Sequence, residues 1–299
     1  MEASKNKKKD SKITVAIVYA AALLIFLAVF GFIGYMAVRN FVPGGEAVQE
    51  SEMEENITYS NDDKSTFMYT LSDNQNRLTS VLIATFMPST QKIVLIPITP
   101  YTECDGTIVA DIYTNAGIAQ LSEKLGSLMN IKIDKYMSMN ESTFSEILNI
   151  MGTPMVTLID DIELYDKATD SEIMHYKGEK LAIDGSIACA LISYEEYSGG
   201  PAVNMKLAGE IAAAYTNNFF SHTEYAKNNI DSIFKKEYSD ADTNMTTDDY
   251  NLMKNAIIYV IENSSSPSYS LTPTGGWTEQ GTFAIDGDFI SQLDGYLNE

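Results

Sequence analysis

Apolar and polar positions follow more than one period along this chain. In residues 80–86 and 92–98, Val, Ile, Leu and Thr crowd into two short runs separated by Met87-Pro88-Ser89-Thr90-Gln91. β-Branched density on both sides of a turn-forming segment predicts adjacent strands of a buried sheet. Beyond them the period lengthens. Ile118, Leu121, Leu125 and Leu128 recur at helical spacing and predict an amphipathic helix over 115–129. A short strand falls within 131–139. Phe144, Ile147, Leu148 and Met151 mark a further helix, stopped by Gly152 and Pro154, and 155–159 reads as a strand. Helical runs also fit 187–194, 204–220 and 248–262. The last begins with Thr246-Thr247-Asp248-Asp249, whose hydroxyls and carboxylates can cap free amides. Strands alternating with helices predict an α/β fold, a mixed β-sheet flanked by helices.

A different pattern precedes this body. Residues 13–38 carry no charge and show no polar face, and as a helix they are long enough to cross a hydrocarbon core of roughly 30 Å. A cleaved signal peptide has a much shorter apolar region, about 7–15 residues, and a small-residue cleavage site. The expectation is therefore one transmembrane helix. Lys5, Lys7, Lys8, Lys9 and Lys12 before it place residues 1–12 in the cytoplasm and the rest outside, with Arg39 opposing. Pro43-Gly44-Gly45 then breaks the helix, and the acidic stretch to residue 64 reads as a solvated linker. The extracytoplasmic domain is expected over 65–299.

Composition narrows the partners. With 45% hydrophobic and 10% aromatic residues the chain can build a sizeable core. Its 41 acidic against 20 basic residues give a net charge of −21, and the N-terminal lysines leave the remainder more acidic still. Such a surface repels phosphate backbones, so nucleic acid is excluded as a partner.

Several short segments carry a resemblance. Arg77-Leu78-Thr79-Ser80 stands where members of the LytR-CpsA-Psr family read R-S-D-T, Met87-Pro88 where they read N-P, and Ile98-Thr99-Pro100-Tyr101-Thr102 where they read I-P-R-D-T. Ile131-Lys132-Ile133-Asp134-Lys135-Tyr136 is similar to I-P-I-D-Y-Y, and Ile183-Asp184-Gly185-Ser186 to L-D-G-E. The series runs in order over about residues 66–298, with the tail 284–297 similar to the closing helix of many members. The resemblance implies a membrane-anchored, extracytoplasmic protein of the Gram-positive cell envelope. Active members transfer a glycopolymer from a polyprenyl pyrophosphate carrier to a cell-wall acceptor, with Mg or Mn. That chemistry needs guanidinium forks on the pyrophosphate oxygens and carboxylates for the metal or a proton.

This chain keeps little of that set. Arg77 retains the first arginine, and Asp73 retains the aspartate of the early L-G-T-D. The second aspartate is Thr79, a poor ligand for a hard cation. Pro100 and Tyr101 replace an arginine and an aspartate together, and the ring of Tyr101 makes the pocket shallower. The family's Y-V-R-Y-R segment is Leu191-Ile192-Ser193-Tyr194-Glu195, and Glu195 with Glu196 would repel a pyrophosphate. Lys206 is the cation left where members read R-x-x-R-Q. Arg39 and Arg77 are the only two arginines in the chain, so no shift of alignment restores the cluster. The bland readings are that Asp73 is a turn residue, Arg77 a salt-bridged strand start, and Lys206 a surface charge.

Other chemistries do not assemble. His175 and His222, the two histidines, lack zinc-site spacing, and Cys104 and Cys189 lack a C-x-x-C partner. The resemblance places both cysteines beside the former pocket, where a disulfide between them is allowed outside the membrane. Asp286-Gly287-Asp288 reads as a turn and helix cap rather than a calcium loop. The sequence therefore predicts a family-like envelope protein without phosphotransfer, using no cofactor. It would bind a polyprenyl lipid or cell-wall glycopolymer, or partner active relatives, with Arg77, Asp73, Tyr101 and Lys206 at the pocket. Two alternatives stand beside it. One is residual phosphotransferase or pyrophosphatase activity with Mg or Mn. The other is a plain interaction domain, which predicts a filled core where family members house a lipid tail.

Overall fold

A computed structural model of the chain describes residues 58–166, 170–194 and 196–298. The expected membrane span 13–38, most of the linker and Glu195 lie outside the described residues. Among the described residues no helix is long and apolar enough to cross a membrane.

Strict alternation along three strands organises the body. Strands β1 (Ser65–Ser72), β2 (Leu78–Met87) and β3 (Lys92–Ile98) form an antiparallel meander at the middle of a six-stranded sheet. The β2–β3 link is a single 3-10 turn, Pro88–Thr90, closed by Gln91 in the left-handed region (φ 55°). Side chains at successive positions point to opposite faces. Met68, Val81, Ile83, Val94, Ile96 and Ile98 enter one core, while Phe67, Leu71, Ala84, Phe86, Ile93 and Leu95 face the other way. Both faces are apolar because helices cover both, and the dense β-branched runs are the sequence signature of that.

After short strands β4 (Glu103–Cys104) and β5 (Thr107–Ile108) comes α1 (Val109–Met129), which packs on the first face. It starts six residues before the predicted 115, and its helical backbone is interrupted at Gly117 (φ 80°), a conformation that favours glycine. Strand β6 (Lys135–Asn140) pairs parallel with β1, and Asn140 caps α2 (Glu141–Met151) by accepting from the Thr143 amide at 2.9 Å. Short strands β7 (Met155–Thr157) and β10 (Lys180–Ala182) pair with each other and flank an unpredicted hairpin, β8 (Ile162–Asp166) with β9 (Ser171–His175). Asp184 caps α3 (Gly185–Ser193), and Pro201 opens α4 (Pro201–Ser221).

Helix α5 (Thr223–Asp240) was not predicted, although Ala226, Ile230 and Phe234 bury one side of it at helical spacing. Strand β11 (Asp242–Thr243) closes one sheet edge against β6. Thr246 and Asp249 form a reciprocal capping box on α6 (Thr247–Asn263), as the local sequence predicted. Strand β12 (Ser268–Ser270) pairs parallel with β3 at the other edge. A small pair, β13 (Gly275–Trp277) and β14 (Phe283–Ile285), precedes α7 (Gly287–Asn298), where Asp286 accepts from the Phe289 amide at 2.7 Å. The predicted mixed sheet flanked by helices is present, with α1 and α7 on one face and α2 to α6 on the other.

Packing contacts reach a few residues ahead of residue 65. Ser60 makes a capping box with Asp63, Tyr59 packs on Tyr259 with ring centroids 5.0 Å apart, and Lys64 donates to the Leu297 carbonyl at 3.0 Å. The disulfide that the resemblance allows is not formed: Cys104 and Cys189 are both free and buried. Cys104 belongs to the α1 core, whereas Cys189 lies against the Glu141 carbonyl of α2 on the opposite face. Burial raises the Cys104 thiol and pushes that of Cys189 up to about 12, so neither is a nucleophile.

Candidate functional site

The register of β1 on β2 locates the site. Their connection, residues 73–77, carries Asp73 and Arg77. One step inward Leu71 faces Ser80, then Tyr69 faces Leu82, then Phe67 faces Ala84. The first pair of landmarks lines a cleft of about 180 Å³, and the next three line a cavity of about 280 Å³. Cavity and cleft thus follow each other along the same strands, and Ile192 of α3 borders both.

Apolar side chains from β1, β2, β3, α2, α4, α5 and α6 make the cavity, including Phe67, Phe86, Phe144, Ile211 and Met253. One carboxyl interrupts this lining, that of Glu237 on α5. It makes no hydrogen bond or ion pair through its side chain among the described residues. Burial pushes it up to about 8. The helix that carries it escaped prediction, and Lys235-Lys236-Glu237 reads in sequence as a solvated charge run.

The cleft is polar at its floor. Asp73 Oδ1 accepts from the amides of Gln75 and Arg77, each at 2.8 Å, and Oδ2 accepts from Arg77 Nε at 2.7 Å. The Arg77 amide, followed by the guanidinium, holds this carboxyl below the usual carboxylate range. Asp73 is 15% exposed and Arg77 68% exposed. The bland reading of Asp73 as a turn residue is what the geometry shows, and Arg77 spends part of its fork on it. Thr79 donates to the Leu71 carbonyl at 3.1 Å, and Ser193 donates to Glu141 at 2.9 Å. Tyr101 lines the cleft and remains 42% exposed, so its ring is not packed away in the protein interior.

Lys206 is not brought to this place. It faces Glu210 one turn along α4, at 3.8 Å, and its neighbour Asn204 lines the cleft instead. Asn204 donates to the carbonyls of Ile192 and Tyr194, tying the exposed end of α3 to α4. Among the described residues the cleft therefore contains one cation and one carboxylate, already paired. Glu196 is exposed and does not line it.

A divalent cation does not fit this donor set. Both oxygens of Asp73 are committed to Gln75 and Arg77, Thr79 is neutral and donates to backbone, and position 101 holds a phenol. Hard cations need several free oxygen ligands. A diphosphate fares little better, since it is held by several forked cations and here meets one guanidinium half neutralised by its neighbour.

The model of the LytR_cpsA_psr family matches residues 47–288. Among curated proteins none matches the sequence. A putative transcription regulator from Eubacterium siraeum has a similar structure, with a TM-score of 0.72 at 21% identity, over 85% of this chain and 99% of that one. TagV of B. subtilis superposes with a TM-score of 0.62 at 16% identity, over 79% of this chain and 96% of its own. TagT bound to LI-WTA gives 0.59 at 14% identity, over 82% and 94%. At these identities the structural likeness speaks to the fold.

Proposed function

Because the chain belongs to the LytR-CpsA-Psr family, we propose that it holds the apolar chain of a lipid-linked envelope glycopolymer without transferring the polymer. The carrying observation is the cavity of about 280 Å³ that begins one strand pair inward from the Asp73–Arg77 turn. A plain interaction domain has no use for such a void, since protein interiors otherwise pack to near crystal density. The ligand of TagT, LI-WTA, supports a glycopolymer as the class of partner. In this reading residues 13–38 anchor the chain in the cell membrane, the domain lies outside, and active relatives perform the transfer.

The make-up of the cleft supports a reading without turnover. Transfer from a pyrophosphate builds negative charge on the bridging oxygen, which preorganised cations must meet. Arg77 alone, mostly exposed and paired with Asp73, meets little of it. The test incubates the chain with a radiolabelled polyprenyl pyrophosphate glycan and magnesium or manganese. Retention of the lipid without release of product is expected. Product release that disappears in Arg77→Ala would instead establish residual phosphotransferase activity, and no retention at all would remove the lipid-holding role.

A further inference from the structure

Glu237 is a partly buried carboxyl that this reading leaves without a task. It lines the apolar cavity from α5, opposite Tyr69 of β1. Apolar side chains such as Ile233, Phe234 and Met245 line the same cavity. A carboxylate in such surroundings loses hydration that nothing replaces, and a hydrocarbon chain entering the void displaces the water that could solvate it.

The charges nearby are turned elsewhere. On its own helix, Lys236 pairs with Glu146 of α2 at 2.5 Å and with Asp240 at 2.6 Å. On α6, Lys254 pairs with Asp231 at 2.7 Å, and Tyr250 donates to the same carboxylate. On β6, Lys135 pairs with Asp249 at 2.6 Å. On α4, Tyr215 donates to the Ile183 carbonyl at 2.7 Å. Tyr69 and Tyr250 are the titratable groups whose ionisation Glu237 opposes, and burial raises both phenols, so neither changes charge near neutrality. Among the described residues no cation pairs with Glu237.

We infer that Glu237 makes occupancy of the cavity pH-dependent: with the carboxyl neutral the cavity accepts an apolar chain, and with it ionised the cavity holds water and rejects the chain. The inference rests on the proposal that the cavity receives such a chain, and it adds regulation of that site. Burial sets the midpoint at about 8. Occupancy at subsaturating ligand then falls about ten-fold for each pH unit above the midpoint.

The test uses the full chain in lipid nanodiscs and a diazirine-bearing farnesyl-length alcohol, whose own charge is constant over the range. After irradiation, labelled peptides are mapped by mass spectrometry, which separates cavity labelling from partition into lipid. Peptides containing Ala212 and Met253 should label at about pH 6.5 and lose roughly ten-fold or more by about pH 9.5. Glu237→Gln, which keeps the shape without the charge, should label equally at both, and Glu237→Leu should match it. Equal labelling of the parent chain at both pH values overturns the inference while leaving the lipid-holding role intact, as does a pH dependence retained by Glu237→Gln. Absence of cavity labelling in all three chains at every pH overturns the lipid-holding role and the inference with it.

Discussion

The same substitution, glycine to alanine, should have opposite effects at two helical positions. Gly185 is the first residue of α3, and its amide donates to Asn149 of α2 at 2.9 Å. A Cβ added there would lie 2.1 Å from the carbonyl oxygen of Ser145 and 2.8 Å from its carbonyl carbon and Cα. These are backbone atoms of α2, which cannot rotate away as a side chain can. The cost is that of overpacking, about 1–3 kcal/mol, and it exceeds the helix-propensity gain of up to about 1 kcal/mol. For a domain of this size each kcal/mol moves the melting point by about 2–4 °C, so Gly185→Ala should melt roughly 3–10 °C lower. Gly295 is exposed within α7 with nothing near its added Cβ. Alanine there restricts the unfolded chain and should add about 0.5–1 kcal/mol, raising the melting point by roughly 1–4 °C. Thermal unfolding followed by circular dichroism measures both. A Gly185→Ala chain that melts with the parent would refute the claim that close α2–α3 contact places glycine at 185, and a Gly295→Ala chain that melts below the parent would refute the entropy argument at 295.

Glu237 should also be visible in stability. Its carboxyl binds a proton more tightly folded than unfolded, so its contribution is full below the unfolded value near 4.5 and is lost as pH rises through about 8. Glu237→Gln should therefore exceed the parent by about 2 kcal/mol or more in denaturant unfolding above that value, after allowance for cavity water, and the gap should close on acidification. A gap that stays constant with pH would contradict this. Asp249 has the opposite sign. Lys135 first, then Thr246, lower its carboxyl to about 2, so its contribution is present above the unfolded value of 3.8 and is lost as pH falls toward 2. Asp249→Asn, which gives up the Lys135 pair and the carboxylate of the capping box, should cost about 1–2 kcal/mol at neutral pH. Unfolding midpoints equal to the parent at neutral pH and lower only in acid would contradict it.

The strand-and-helix frame does not depend on the residues of the cleft, because it is held by apolar contacts on both sheet faces. In the reading proposed above, holding a chain and transferring a polymer make different demands on the fold. The first needs an apolar void, and the second needs charge placed where charge develops.

Local pattern alone decided much here. The β-branched runs around Pro88 specify β2 and β3, and recurring leucines specify α1. Thr246 with Asp249 caps α6, and the two arginines bound the number of guanidinium forks that any arrangement of the chain can offer. Each of these is a matter of neighbours in sequence or of inventory, which folding does not change. Tertiary structure decided the rest, because it concerns groups brought together from distant segments. It set Arg77 on Asp73, turned Lys206 to Glu210, and placed the two cysteines on opposite faces. It also left a cavity between β1–β3 and helices α2 to α6 and put one carboxyl, from a stretch that reads as surface, against it. A periodicity can say which side of a helix is apolar, but whether two apolar sides meet or stand apart depends on how the helices pack.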